Sequence, residues 1–159
     1  MRYGIVSIAA VSALIIGAYA ASIEEQQHEI GYIPEPSKWY ELADYFSRKG
    51  SPHPERMATA VLETQKPRLL AAIATVESNG KETAYNKSSK AKGAFQVKSK
   101  HWGRVGHDVV EQALQADRIL NDLYDEKDRN LRKTLNAYGG DTKGRYAVAV
   151  LKELESVPK

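Results

Sequence analysis

Two hydrophobic patterns divide this chain. From Tyr3 to Ala20 small and apolar residues follow one another with no charge among them, whereas from residue 37 onward apolar residues recur every three or four positions among polar ones. The second pattern puts one apolar stripe on each of a succession of helices. Ser37 is placed to cap a helix that turns Trp39, Leu42 and Phe46 inward and ends at Gly50. Pro54 suits the first turn of a helix presenting Met57, Ala60 and Val61, and Pro67 opens another that runs to Ser78, with Gly80 just past its end. Asp108 with Glu111 three residues on reads as a capping box for a long helix through Val110, Ala113, Leu114, Leu120 and Leu123. Leu131, Leu135 and Tyr138 form the stripe of a further helix that stops at Gly139-Gly140, and residues 145–157 give a last one with Tyr146, Val150, Leu151 and Leu154. No strand alternation and no internal repeat is legible. Residues 81–104 are the exception, being Lys- and Ser-rich, irregular, and interrupted by an apolar group around Phe95. The expected fold is all-α, with one irregular loop.

The first pattern has a different meaning. Arg2, an apolar stretch through Ile16 and then Gly17-Ala18-Tyr19-Ala20 make a positive start, an apolar middle and an A-x-A cleavage signature. Residues 1–20 are therefore read as a signal peptide cut after Ala20 or Ala21, with a weak, uncleaved membrane anchor as the other reading, since about 18 apolar residues is the lower limit for spanning a bilayer. Either way the remainder is exported. Residues 21–36, polar with two prolines, suit an extended tether. Residues 37–159 are then the folded domain.

Of the 159 residues, 23 are Lys or Arg and 20 are Asp or Glu, and only Arg2 among them falls in the apolar leader, so the exported part is close to neutral. No cysteine occurs, which removes disulfide scaffolds, Cys nucleophiles and Cys-ligated zinc. The four histidines show no metal-binding spacing, so no metal and no cofactor is expected. Nor is there a Walker loop, a GxGxxG or a GxSxG.

Candidate chemistry begins at Glu77. Counting back four and seven residues reaches Ile73 and Leu70, so the carboxyl lies on the face of the helix that carries buried side chains. Partial burial and the negative end of the helix dipole both disfavour its ionised form. A carboxylic acid held protonated near neutral pH is what general-acid cleavage of a glycosidic bond requires. The residues alone also allow a glutamate that simply reaches solvent from a last turn.

Glu77-Ser78 at the end of an apolar helix is followed by Ser88-Ser89, then Gly93-Ala94-Phe95-Gln96-Val97, then Leu135-Asn136-Ala137-Tyr138-Gly139-Gly140 and Tyr146. In this order and spacing the elements resemble the ES, GLMQ and AYN motifs of the soluble lytic transglycosylases, the goose-lysozyme-like peptidoglycan lyases, over about residues 67–151. The resemblance implies a lysozyme-like helical fold and cleavage of the β-1,4 bond between N-acetylmuramic acid and N-acetylglucosamine, with a 1,6-anhydro product. It implies Glu77 as the sole acid/base, Ser78 positioning the acetamido group, and Gly93, Phe95 and Gln96 in the substrate groove. Tyr138 would sit against Glu77. Three departures stand out: GAFQV in place of GLMQ, Gly139 where Asn is usual, and one extra residue between the first two motifs.

Other readings bear on the same residues. Ordinary glycosidases use two carboxylates, and Asp141 is the nearest candidate for a second, which would make the enzyme a hydrolytic muramidase. The domain is also compatible with a glycan-binding component, without turnover, of an envelope-spanning machine or a virion. Residues 81–104 carry seven basic residues against one acid, Glu82, with Phe95 and Trp102 interleaved. That pattern suits a nucleic-acid patch, but export argues against nucleic acid and favours a solvated loop or a groove for peptidoglycan carboxylates. Trp102 is expected to pack under the loop or stack on a sugar, and Tyr146 to lie near the site. The expected partner is peptidoglycan, in a periplasmic or extracellular setting. Such small enzymes accompany secretion, pilus, conjugation or phage-entry systems by family analogy only.

Overall fold

The computed structural model describes residues 36–159; the apolar leader and all of the expected tether but Pro36, which is helical, lie outside the described residues. Among the described residues there are seven helices and one very small sheet: α1 (Pro36–Arg48), α2 (Pro54–Leu62), α3 (Pro67–Ser78), β1 (Ala91–Lys92), β2 (Val97–Lys98), α4 (Ser99–Trp102), α5 (Val109–Glu126), α6 (Leu131–Gly139) and α7 (Arg145–Ser156). The domain is all-α in class. Among the described residues, no helix is long and apolar enough to cross a membrane.

Proline sets two of the helix starts, at the first turns of α2 and α3, where a missing N–H costs nothing because that donor has no partner inside the helix. α1 already includes Pro36, so Ser37 lies within its first turn and does not cap it. α3 ends as the sequence implied, with Asn79 in the left-handed region at φ 54° turning the chain away. α2 lies against α1 and α5, α3 against α7, and α6 bridges α5 and α7. Phe46, Met57, Leu70, Ile73, Phe95, Leu120, Leu135 and Val150 fill the space between them and are essentially inaccessible to solvent.

The capping box forms by half. Asp108 accepts from the Glu111 amide at 2.9 Å, but Glu111 reaches one residue further upstream and accepts from the amide of His107. The stripe of α5 is also rotated from the expected one. Val109, Ala113, Ala116, Ile119, Leu120 and Leu123 are buried, Val110 is half-buried and Leu114 is 41% exposed. Val109 starts the buried face because the loop before it is folded onto this helix.

That loop is more ordered than its composition suggested. β1 and β2 pair antiparallel, with Ala91 opposite Lys98 and Lys92 opposite Val97, and Tyr85 bridges to Lys92 on the other edge. Strands this short carry no periodicity to read, since two residues cannot show an alternation. α4, a single turn, escaped for the same reason.

Candidate active site

Glu77 lies in the last turn of α3, at the point where three other elements meet the helix. Its Oε1 accepts a 2.7 Å hydrogen bond from the hydroxyl of Tyr146, in the first turn of α7. The Tyr146 ring stacks on that of Tyr138 from α6, centroids 6.4 Å apart and planes 26° from parallel. The carboxyl is largely enclosed, and burial raises its pKa above the ordinary value of 4.5, while the Tyr146 hydrogen bond and the positive charge of Lys98 on β2 pull it back. Burial therefore wins, and the protonated form is favoured beyond the usual carboxylate range. Both phenols are pushed upward as well, chiefly by burial and then by the charge of Glu77, so they remain hydrogen-bond donors.

The contact to Glu77 differs from the expectation. Tyr138 was expected against the glutamate, but its hydroxyl donates to the backbone oxygen of Phe95 at 2.9 Å, and Tyr146 makes the direct contact. Gly139 explains how Tyr146 gets there. A Cβ at this position would lie 2.4 Å from Cγ of the Tyr146 ring, so the ring occupies the space that any side chain at 139 would need. The Gly that departs from the family motif is thus matched to the tyrosine seven positions downstream in the site.

The GAFQV loop is held from both sides. The Ser78 hydroxyl donates to the Ala94 carbonyl at 2.8 Å and accepts from the Lys81 amide at 3.0 Å, so this side chain links the helix end to the loop. Phe95 does not line a groove: its ring is 0% exposed in the core, and only its carbonyl faces the site, where it receives Tyr138. An aromatic ring at this position is an anchor because the loop folds its apolar residue inward. Gln96, half-buried at φ 48°, ties its Nε2 back to the Gly93 carbonyl at 3.0 Å. A left-handed conformation at a non-glycine residue costs on the order of 1 kcal/mol, and such residues cluster at functional sites.

Two glutamines that sequence reasoning passed over complete the loop. Gln112, 5% exposed on α5, accepts from the Ala94 amide at 2.9 Å and sends its Nε2 toward the carbonyls of Glu82 and Gly106. Gly93 is required beside it, since it has φ 80° and a Cβ there would lie 2.4 Å from the Gln112 Oε1. Three residues on, Gln115, 7% exposed, accepts from the Gly106 amide and donates to the carbonyls of Trp102 and Arg104. The available signal was a pair of amide side chains on the otherwise apolar face of an amphipathic helix. Trp102 is half-buried and packs against the core.

Asp141 is half-buried, and both its oxygens are engaged: one accepts from the Lys143 amide and the other from the Tyr146 amide, each at 2.8 Å. These backbone hydrogen bonds hold its carboxyl below the usual range. It therefore anchors the turn that delivers Tyr146. Asn136 works alongside it by accepting from the Ala147 amide at 3.0 Å. A cavity of about 610 Å³ lined by Glu63, Arg104, His107, Glu111, Asp117 and Arg118 is bordered by Gln115 but by none of Glu77, Ser78, Gln96, Tyr138 and Tyr146. Glu77, Tyr138 and Tyr146 gather instead at the end of α3.

Residues 57–149 match the family model of the transglycosylase SLT domain. Comparison with curated proteins and with solved structures found no match.

Proposed function

We propose that this chain, which belongs to the transglycosylase SLT domain family, is a peptidoglycan lytic transglycosylase with Glu77 as its single acid/base. Membership implies a lysozyme-like enzyme acting on the glycan of peptidoglycan. The finer reading rests on one observation above all. Glu77 is a largely enclosed carboxyl whose pKa is raised by burial and whose Oε1 is fixed by Tyr146 at 2.7 Å. Such a group keeps its proton to higher pH than an ordinary carboxyl and is well placed to donate it.

In the first step Glu77 passes its proton to the glycosidic oxygen of the N-acetylglucosamine leaving group as the bond from that oxygen to C1 of N-acetylmuramic acid breaks. Glu77 is then a carboxylate, stabilised by the Tyr146 hydroxyl and by the nearby charge of Lys98. In the second step it removes the proton of the muramoyl 6-hydroxyl as that oxygen bonds to C1. The proton is returned, the 1,6-anhydro ring is closed and no water is consumed. One carboxyl performs both transfers, in keeping with an Asp141 whose oxygens are committed to backbone amides. Gln96 and the backbone around Gly93 would hold the sugar, with Ser78 keeping that loop in register.

The amino-terminal segment places this activity outside the cytoplasm in the proposed reading, where the polymer is. Digestion of purified sacculi by the wild type and by Glu77→Gln, with products resolved by mass, tests it. Anhydro-muropeptides from the wild type alone are expected. Reducing ends would shift the assignment to hydrolysis, and no release from either would leave a glycan-binding module.

A further inference from the structure

We propose that Tyr85, Lys90 and Lys92 form an accessory subsite for the carboxylate-bearing part of the substrate, the stem peptides and the sugars that carry them; this rests on the proposed reading of the polymer as peptidoglycan. Tyr85 is a large aromatic residue left 49% exposed, yet its backbone is fixed. It bridges to Lys92, and the flanking amides of Asn86 and Gly93 donate to the carbonyls of Ala91 and Ala84 at 2.9 and 2.8 Å. The turn beyond is closed by the Asn86 side chain, which accepts from the amides of Ser88 and Ser89. An exposed ring on a rigid hairpin loses little freedom when a ligand stacks on it.

The charge around the ring points to the ligand's sign. The Lys90 and Lys92 ammonium groups lie 6.0 and 5.8 Å from the Tyr85 ring centroid. Among the described residues neither has a carboxylate within salt-bridge distance, and Glu82, the one acid of the segment, is taken by Arg56 at 3.0 Å. The two ammonium groups thus gather at the Tyr85 ring with no protein counterion among the described residues. A cleft of about 280 Å³ opens beside them, lined by Glu82, Ala84, Tyr85, Lys92, Gly106 and His107. That is near the lower end of pockets that hold small ligands, about 300 Å³. A ring to cover an apolar sugar face, ammonium groups for carboxylates and a cleft of this size fit a peptide-bearing saccharide. The subsite belongs to the same loop as the Gly93–Val97 wall, so one strand can engage both.

The test uses the full chain, with Tyr85→Ala and the double variant Lys90→Gln/Lys92→Gln, on glycan strands with free stem-peptide carboxylates and on strands stripped of peptide. The lysine variant is expected to raise KM about three- to tenfold on the peptide-bearing strands with kcat unchanged, as loss of uniform binding does, and to leave the stripped strands unaffected. Tyr85→Ala is expected to raise KM on both. Unchanged KM in all arms overturns the proposal. Sedimentation with sacculi provides a readout independent of turnover. If the wild type releases no product but the lysine variant binds sacculi less well, the subsite stands and the lyase reading falls. Equal sacculus binding, or a loss seen only for an added oligonucleotide, would assign the patch to something other than peptidoglycan.

Discussion

The hydroxyl of Tyr146 donates a 2.7 Å hydrogen bond to Oε1 of Glu77, joining the first turn of α7 to the last turn of α3. This bond favours the ionised carboxyl, and burial opposes it. Tyr146→Phe keeps the ring and removes only the donor, so the Glu77 pKa should rise further. A general acid is lost as pH climbs through its pKa, so the alkaline limb of the pH–rate profile should move upward. Stabilisation of the carboxylate formed in the first step is lost at the same time. Hydrogen bonds to charged groups contribute about 1.5–3 kcal/mol, which corresponds to a drop in kcat of roughly 10- to 100-fold. An unmoved alkaline limb would detach the hydroxyl from the acid's titration.

Gly139→Asn restores the residue more usual in the related motif, and it is expected to damage this enzyme. The new Cβ would fall 2.4 Å from the Tyr146 ring, which cannot retreat without leaving Glu77. Overpacking of this kind costs about 1–3 kcal/mol. Activity should fall at least as far as in Tyr146→Phe, with a melting temperature lowered below that of Tyr146→Phe. Wild-type turnover in Gly139→Asn would mean that the ring has another place to go.

What the sequence made legible was whatever is local or periodic. α3 was readable to the residue because Pro67 and the Asn79-Gly80 pair mark its ends and its interior is apolar. Glu77 stood out by its place on the buried face, and the motif resemblance singled it out as the acid. The partner of Glu77 was misassigned between Tyr138 and Tyr146 because both lie on inward stripes, and only the packing of α6 against α7 decides which hydroxyl arrives. Phe95 was expected in the groove because the resemblance put the Gly93–Val97 segment there, but a loop folded over a core needs an apolar anchor. Gln112 and Gln115 went unnoticed because their work is to satisfy backbone groups of a distant loop, a long-range match that no spacing rule contains.

Asp141→Asn should retain most of the wild-type activity. Its carboxylate receives the amides of Lys143 and Tyr146, and an asparagine oxygen can keep one of these bonds. A second catalytic carboxylate would behave otherwise, with turnover collapsing as in Glu77→Gln. Measuring initial rates of the two variants side by side on the same sacculi separates these outcomes.

Glu77→Gln should make the fold more stable at neutral pH. The folded-state pKa of Glu77 lies above the ordinary 4.5, so the folded state binds this proton more tightly than the unfolded chain does. Stability contributed by Glu77 is therefore full at pH below about 4 and falls as pH rises through the folded pKa. Glutamine has no proton to lose and can still accept from Tyr146. Denaturant melts across the pH range should coincide at acid pH and separate in favour of Glu77→Gln above it. A constant difference at every pH would contradict the raised pKa.

Gln112→Ala tests whether the substrate loop is built by α5. Three loop groups, the Ala94 amide and the carbonyls of Glu82 and Gly106, lose their side-chain partner at once, and each lies at or near the protein interior. A buried polar group left unsatisfied costs about 1–3 kcal/mol, although water entering the vacated space recovers part of it. The core clusters around Phe46, Met57 and Ile73 do not depend on Gln112, so the loss should be regional. Amide hydrogen exchange is expected to accelerate across residues 82–106 while α1 to α3 keep their protection. Because Ala94 also receives the Ser78 hydroxyl, loosening should reach the end of α3 and lower turnover without moving the alkaline limb set by Glu77. Global acceleration would instead make Gln112 a residue of the core, and no acceleration would show that Ser78 and Phe95 hold the loop unaided.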